Sequence, residues 1–131
     1  MLGIAGMAEL LSEQDREFFR NCRYQQVVTL VIGTEHPVDG KCYGVSIPRV
    51  ENFKAATISF LEYMDPARVP RGCGLLAITA GGQDVSAERL MEDLERLYRV
   101  EPRWTKIYEW RSGMPKFHEY AVRASSFAVI T

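Results

Sequence analysis

The sequence has few cysteines, and their spacing excludes two classes of small protein. Cys22, Cys42 and Cys73 are an odd number of thiols at wide, irregular intervals. That pattern is neither a disulfide framework nor the paired CxxC spacing of a zinc site. We therefore expect free, buried or half-buried thiols and a reducing, cytoplasmic compartment.

The sequence also lacks a long hydrophobic run and a surplus of one charge. The longest strongly apolar stretch, 27–32, is far too short to cross a membrane, and the N-terminus lacks the basic region of a signal peptide. The 16 basic residues are balanced by 17 acidic ones, for a formal net charge of −1. Because nucleic-acid binding requires a basic surplus or a dense basic stripe, we expect no nucleic-acid partner and no transmembrane segment.

Catalytic motifs are scarce as well. The sequence contains no HExxH, Walker A or GxSxG motif. The two histidines are far apart in sequence, and His36 lies in a turn, where a solvated loop residue is the favoured interpretation. Glu92 and Asp93 fall on the polar face of a helix, where we expect them to face solvent. Gly3 and Gly6 match only the end of a dinucleotide fingerprint, and no strand precedes them. We predict no catalytic, metal-binding or cofactor-binding residue in this chain.

The length and the hydrophobic content of the chain predict one folded domain. The chain has 131 residues, of which 47% are hydrophobic, enough to bury a core. The predicted elements are a helix from Ser12 to about Cys22, strands over 24–34, 42–47, 56–62 and 73–80, a helix from Ser86 to about Tyr98, a strand over 104–110 that Gly113 and Pro115 end, and a strand-like tail over 121–131. We expect the first strand to be covered on both faces and 64–72 to be an extended loop. Because most strands follow each other without a helical crossover, we predict an α+β fold, a mostly antiparallel or mixed sheet of about five to six strands with helices packed on one face.

Several short motifs occur in a fixed order along the chain. They are a tyrosine-led strand (24–28), a strand that reaches a proline (43–48), a Pro-x-Gly loop (70–72) with a strand behind it, a helix (90–97), and a closing segment from Pro102 to Pro115 that contains Trp110. This order resembles the substrate-binding domain of the flavin-containing amine oxidase superfamily, which includes protoporphyrinogen oxidases and phytoene-desaturase-like enzymes. The resemblance covers about residues 10–120.

The resemblance implies that residues 1–131 are the substrate-recognition domain of a larger FAD-dependent oxidoreductase. In that family, FAD is bound by a dinucleotide domain that this chain lacks. FAD is therefore expected in the full-length protein and none in the isolated chain, which would be inactive. The implied partners are the missing FAD-binding domain and a small organic substrate, with amine, porphyrinogen and polyene all open. The full-length protein would be cytoplasmic, with peripheral attachment to a membrane as an open alternative.

By the same analogy, the sheet faces the flavin and aromatic residues form the wall of the substrate cavity. The resemblance places Tyr43, Trp110 and Pro115 near that cavity, and then Phe117 and His118. Packing in the core of the sheet is an equally good interpretation for Tyr43 and Trp110. A domain separated from its flavin partner would also expose an apolar face, through which we expect self-association.

A second class of function remains open. The chain would then be a free-standing α+β module that binds an apolar small molecule or dimerises, without enzymatic activity. The balanced charge and the aromatic-rich strand over 104–110 favour this alternative.

Overall fold

A computed structural model of the protein describes residues 10–116. Within these residues the chain divides into two compact units, one formed by 10–24 with 114–116 and the other by 25–113. The elements are, in chain order, α1 (Glu13–Asn21), β1 (Tyr24–Thr34), β2 (Gly44–Ser46), β3 (Thr57–Phe60), α2 (Leu61–Met64), β4 (Gly74–Gly81), α3 (Ala87–Leu97) and β5 (Pro102–Pro115). Two 3₁₀ turns, Arg49–Glu51 and Pro66–Arg68, lie in the connections. The predicted α+β fold is confirmed.

The strands form one antiparallel sheet in the order β2-β3-β4-β1-β5. The β1–β5 pair is antiparallel too, because the start of β5 lies beside the end of β1 and Gly113 lies beside Val27. β2 pairs with β3 and β3 with β4, as antiparallel strands joined by short connections do. β1 and β2 are not neighbours, because β4 and β3 lie between them, and β4 and β5, which α3 connects, are separated by β1.

One face of the sheet carries the core, and we call it the core face. Eight residues of β1, β3 and β4 that point to this side are at most 2% exposed: Val28, Leu30, Ile32, Ile58, Phe60, Leu76, Ile78 and Ala80. Leu90 and Leu94 of α3 join the same cluster. Burial of each large side chain of this kind contributes roughly 1.5–3 kcal/mol. The prediction that β1 is covered on both faces is wrong in part, since its other face is half-buried at Val27, Thr29 and Val31 and buried only at Gly33.

Helix α3 forms as its sequence predicts. The Ser86 hydroxyl caps it by accepting from the Arg89 amide at 3.3 Å. The pKa of Glu88 is lowered. The main cause is the hydrogen bond that its carboxylate accepts from its own backbone amide, and the smaller cause is the one it accepts from the Ser86 side chain. Leu90 and Leu94, one turn apart, carry the apolar side of the helix into the core.

The prediction that Asp93 faces solvent is wrong. Asp93 is 3% exposed, and its Oδ2 accepts from the amides of Lys54 (2.6 Å) and Ala55 (2.8 Å). Its Oδ1 lies 3.6 Å from the Arg96 guanidinium, which also covers the Phe53 ring. The Asp93 side chain thus fastens the segment before β3 to α3, because two amides that lack strand partners find an acceptor oxygen there.

Helix α1 belongs to the first unit and also agrees with its prediction. Ser12 accepts from the Asp15 amide at 3.2 Å and caps the helix, and the amide of Cys22 closes its end on the Phe19 carbonyl. The predicted tail over 121–131 and the Gly3–Gly6 pattern lie outside the described residues.

The bounds of several elements differ from prediction, and β2, for example, is Gly44–Ser46 rather than 42–47. Strand β3 stops at Phe60 because α2 turns the chain, and Glu62 Oε2 then accepts from the Leu75 amide at 3.2 Å. The predicted extended loop contains the 3₁₀ turn Pro66–Arg68, which Asp65 caps through the Ala67 amide at 3.1 Å. Strand β5 runs through Gly113 to Pro115, since an edge strand tolerates proline at its ends.

The remaining predictions concern thiols and membranes. All three cysteines are half-buried and unpaired, as expected. Over residues 10–116, no helix combines the length and apolarity that crossing a membrane requires.

Candidate functional site: the open face of the sheet

The second face of the sheet differs sharply from the core face, and we call it the open face. Its residues are those that alternate with the buried ones: Val27, Thr29, Val31 and Gly33 of β1, Leu75, Ala77, Thr79 and Gly81 of β4, Thr57 and Ser59 of β3, and Gly44 and Ser46 of β2. Most of them are half-exposed. Glycine, alanine, serine and threonine predominate, so the surface is flat and lets another group approach the backbone closely.

A row of hydroxyl groups crosses four strands of this face. Ser46 lies opposite Thr57, Thr57 opposite Thr79, and Thr79 opposite Thr29. The Oγ1 atoms of Thr29 and Thr79 are 2.9 Å apart and share a hydrogen bond. Each hydroxyl can both donate and accept, so the row offers hydrogen bonds to a ligand lying on the sheet.

Strand β5 adds aromatic side chains at the edge of the open face. The Trp104 indole covers Gly33, where a Cβ atom would overlap the indole ring. Since Gly33 points to the open face, Trp104 lies on that side, and strand alternation places Lys106, Tyr108 and Trp110 there as well. We call Trp104, Tyr108 and Trp110 the aromatic strip.

Contacts along β5 support this placement and leave the rings exposed. Tyr108 and Trp110 stack with centroids 5.8 Å apart and planes 10° from parallel, and the Lys106 ammonium lies 5.1 Å from the Tyr108 ring centre. Trp104 and Trp110 are each 48% exposed. Large exposed aromatic rings in a row are typical of a surface that another molecule covers.

The structure separates two residues that the resemblance placed near one cavity. The Phe60 amide donates to the Tyr43 carbonyl at 2.9 Å, which continues the β2–β3 ladder and puts Tyr43 opposite Phe60, on the core-face side. Tyr43 is 70% exposed at the β2 edge, whereas Trp110 is on β5 at the other edge. Four strand spacings, about 19 Å, separate these edges.

The other three predicted residues give less information. Pro115 is the exposed last residue of β5. Phe117 and His118 lie outside the described residues.

Sequence reasoning missed most of the open face. Trp104 and Tyr108 could have been found with Trp110, because the three share one parity in an alternating strand. The hydroxyl row could not, since it depends on the register between strands that are distant in sequence.

The open face offers hydroxyl groups and exposed aromatic rings as contacts. Among the described residues placed on it, Lys106 carries a charge. Over residues 10–116, no group of three or more histidine, cysteine or acidic residues could hold a metal ion. The arrangement can stack a planar ring, donate and accept hydrogen bonds through hydroxyls, and place a ligand close to the backbone.

Comparisons with known proteins identify the fold. No family model matches the chain, and no curated protein matches it. Among solved structures, the chain is similar to reduced UDP-galactopyranose mutase, with a TM-score of 0.62, 15% identity, and coverage of 88% of this chain and 26% of the mutase. It is also similar to a protein from Exiguobacterium sp. 255-15 assigned as a protoporphyrinogen oxidase, with a TM-score of 0.61, 14% identity, and coverage of 97% of this chain and 31% of that one.

A third structure extends the likeness. A protein from Pyrococcus furiosus matches with a TM-score of 0.55 and 14% identity, over 82% of this chain and 29% of that chain. At these identities the likeness concerns the fold alone. The chain spans 26–31% of the length of these three proteins.

Proposed function

We propose that this chain is the substrate-recognition domain of a FAD-dependent oxidoreductase of the amine oxidase or protoporphyrinogen oxidase type. Its open face and aromatic strip would hold an organic substrate against a flavin bound by a domain that these 131 residues do not include. The observation that carries the proposal is the asymmetry of the sheet, in which one face is a closed apolar core and the other a flat hydroxyl surface beside exposed aromatic rings.

The fold comparisons support this proposal from a second direction. One similar structure is assigned as a protoporphyrinogen oxidase, and protoporphyrinogen oxidases are members of the superfamily that the sequence motifs resemble. This chain corresponds to 31% of that protein, as expected for one domain of a larger enzyme. Within the proposal, Trp110 keeps its predicted place in the substrate surface, and Trp104 and Tyr108 join it.

The described residues do not fit the flavin dinucleotide itself. A pyrophosphate site of the dinucleotide type needs a helix N-terminus after a strand of a parallel βαβ unit. The sheet of residues 10–116 is antiparallel throughout and contains no such unit. The role proposed for the chain is therefore to bind and orient the substrate and to exclude water from it.

The exposed β5 edge fits the same proposal. Fourteen residues of this strand, Pro102–Pro115, are almost all exposed, including Ile107 and Met114. An edge of this length pairs readily with another chain unless something covers it. In the proposal, the flavin domain or a second copy of the chain covers this edge.

Absorption spectroscopy tests the proposal. We expect the protein expressed from its full reading frame to show the absorption bands of bound flavin, and the purified 131-residue chain to show none. Absence of flavin from the full-length protein would contradict the proposal and favour a free-standing binding or dimerisation module. Flavin bound stoichiometrically to the 131-residue chain would contradict the assignment as a substrate domain alone.

A further inference from the structure

A small cavity opens where three strands and a loop meet at one end of the sheet. Its volume is about 270 Å³, and its walls include the end of β1, the start of β4, the start of β5 and the loop that follows the Pro66–Arg68 turn. The lining residues on which its chemistry depends are Gly33, Thr34, Arg68, Gly74, Arg103 and Trp104.

Gly33 and Gly74 let neighbouring groups pack directly against the backbone beside this cavity. A Cβ atom at Gly33 would overlap the Trp104 indole, and one at Gly74 would overlap the Thr34 hydroxyl and lie 2.9 Å from the His36 carbonyl oxygen. The Thr34 hydroxyl is itself held by donation to that carbonyl at 2.6 Å. One wall of the cavity is therefore rigid backbone, and an aromatic ring adjoins it.

The charge of the cavity has one sign. Among the described residues that line it, Arg68 and Arg103 are the charged ones. Arg68 Nε lies 3.4 Å from Asp65 Oδ2, and a guanidinium has two further nitrogens that can donate. Over residues 10–116, no acidic side chain lies within ion-pair distance of Arg103.

We propose that this cavity binds the anionic group, a carboxylate or a phosphate, of an organic ligand whose planar part stacks on Trp104. A guanidinium group recognises both anions through parallel hydrogen bonds, and an indole supplies the face for a ring. The cavity adjoins the open face through Trp104, so the inference deepens the proposed function: the substrate oriented on that face would be an aromatic or conjugated acid or phosphate ester.

A neighbouring cavity provides the control. It has a volume of about 440 Å³ and shares Val69, Pro70 and Cys73 with the first one, but it contains both Arg71 and Glu62. The carboxylate of Glu62 opposes the binding of an anion there. Arg71→Ala therefore removes a nearby arginine without touching the Arg68–Arg103 pair.

Titration calorimetry of the 131-residue chain with three naphthalene probes tests the proposal. We expect naphthoate or naphthyl phosphate to bind and the uncharged naphthamide to bind at least about tenfold more weakly. Arg103→Ala and Arg68→Ala should each weaken binding of the anionic probe about tenfold, Arg103→Lys should weaken it less, and Arg71→Ala should leave it unchanged. Trp104→Ala should weaken all three probes. Whichever anion binds more tightly identifies the source of the charge.

Equal binding of naphthamide and the anions would overturn the inference, and so would equal effects of Arg71→Ala and Arg103→Ala. Failure of every probe to bind the wild-type chain would overturn it too. Unfolding curves of each variant show whether a loss of binding reflects a loss of folding. The titration uses no flavin, so anion binding by a protein whose full-length form lacks flavin would reject the proposed function and leave this site standing.

Discussion

The two faces of one sheet use residues of opposite character. On the core face, Leu30, Ile78 and Ile58 lie side by side across three strands and are almost completely buried. One residue further along, Thr29, Thr79 and Thr57 lie in the same register on the open face, where they range from half-buried to exposed. The backbone is shared, so the difference in burial arises from the side chains and from what packs on them.

In the proposal, the core face stabilises the fold and the open face binds the ligand. Branched apolar side chains on the core face contribute most of the free energy of folding through burial under α3. Threonine and serine on the open face keep high strand propensity yet bury little apolar area, so they can be changed with little cost to folding. A ligand surface can therefore vary on a fold that stays constant.

Truncating the core face should produce the largest effect. Ile78 is fully buried between Leu30 and Ile58, so Ile78→Ala should lower the free energy of unfolding by about 2–5 kcal/mol through lost burial and a cavity. Urea unfolding followed by circular dichroism measures the loss. Thr79→Ala, the adjacent change on the open face, should cost about 1 kcal/mol, the net value of its hydrogen bond to Thr29. Similar losses for the two variants would contradict the distinction between the faces.

Removal of the buried Asp93 carboxylate should cause the next largest loss in the free energy of unfolding. Asp93→Ala leaves the amides of Lys54 and Ala55 without their acceptor, and we expect a loss of about 2–4 kcal/mol. Glu92→Ala breaks only the exposed pair with Arg89, at 2.7 Å, and should cost less than about 1 kcal/mol. The same urea unfolding measures both, and equal effects of the two neighbours would refute the fastening role of Asp93.

The fold could be predicted from local patterns because those patterns are set by neighbours along the chain. The alternation in β1 and the stripe with its Ser86 cap in α3 identify a strand and a helix without knowledge of tertiary contacts. Asp93 shows where such reasoning fails. Its place on the helix is polar by sequence, yet the two amides that it binds lie 38 and 39 residues away.

The candidate site was harder to predict for the same reason. Tyr43 and Trp110 both looked like aromatic residues of a pocket, but the strand order puts them at opposite edges of the sheet. The hydroxyl row and the Arg68–Arg103 cavity each join segments that only the folded topology brings together. No short motif in the sequence specifies which residues of distant strands lie opposite each other.

Adding a side chain at Gly33 should cause a smaller loss of stability, confined to the open face. Because a Cβ atom there would overlap the Trp104 indole, Gly33→Ala should displace the ring and cost about 1–2 kcal/mol, with Trp104 fluorescence shifted towards that of a fully exposed indole. In a Trp104→Ala background the same change should be neutral or stabilising, since alanine suits a strand better than glycine. An undiminished cost in that background would show that the strain arises elsewhere.

The smallest effect should be a pH dependence of the free energy of unfolding that arises from Tyr98 at the edge of the core. Burial, and secondarily the Cys42 thiol, raises the pKa of Tyr98 above its usual 10.0, and the ring packs edge-on against Phe60 with centroids 5.3 Å apart. The folded chain then holds this proton more tightly than the unfolded one, so the tyrosine should destabilise the fold as the pH rises above 10.0. Tyr98→Phe cannot titrate, and its unfolding free energy relative to wild type should be constant below that pH and increase above it. A Tyr98→Phe difference that stays flat from neutral to alkaline pH would mean that the hydroxyl is as well solvated in the folded chain as in the unfolded one, and that the core face ends before Tyr98.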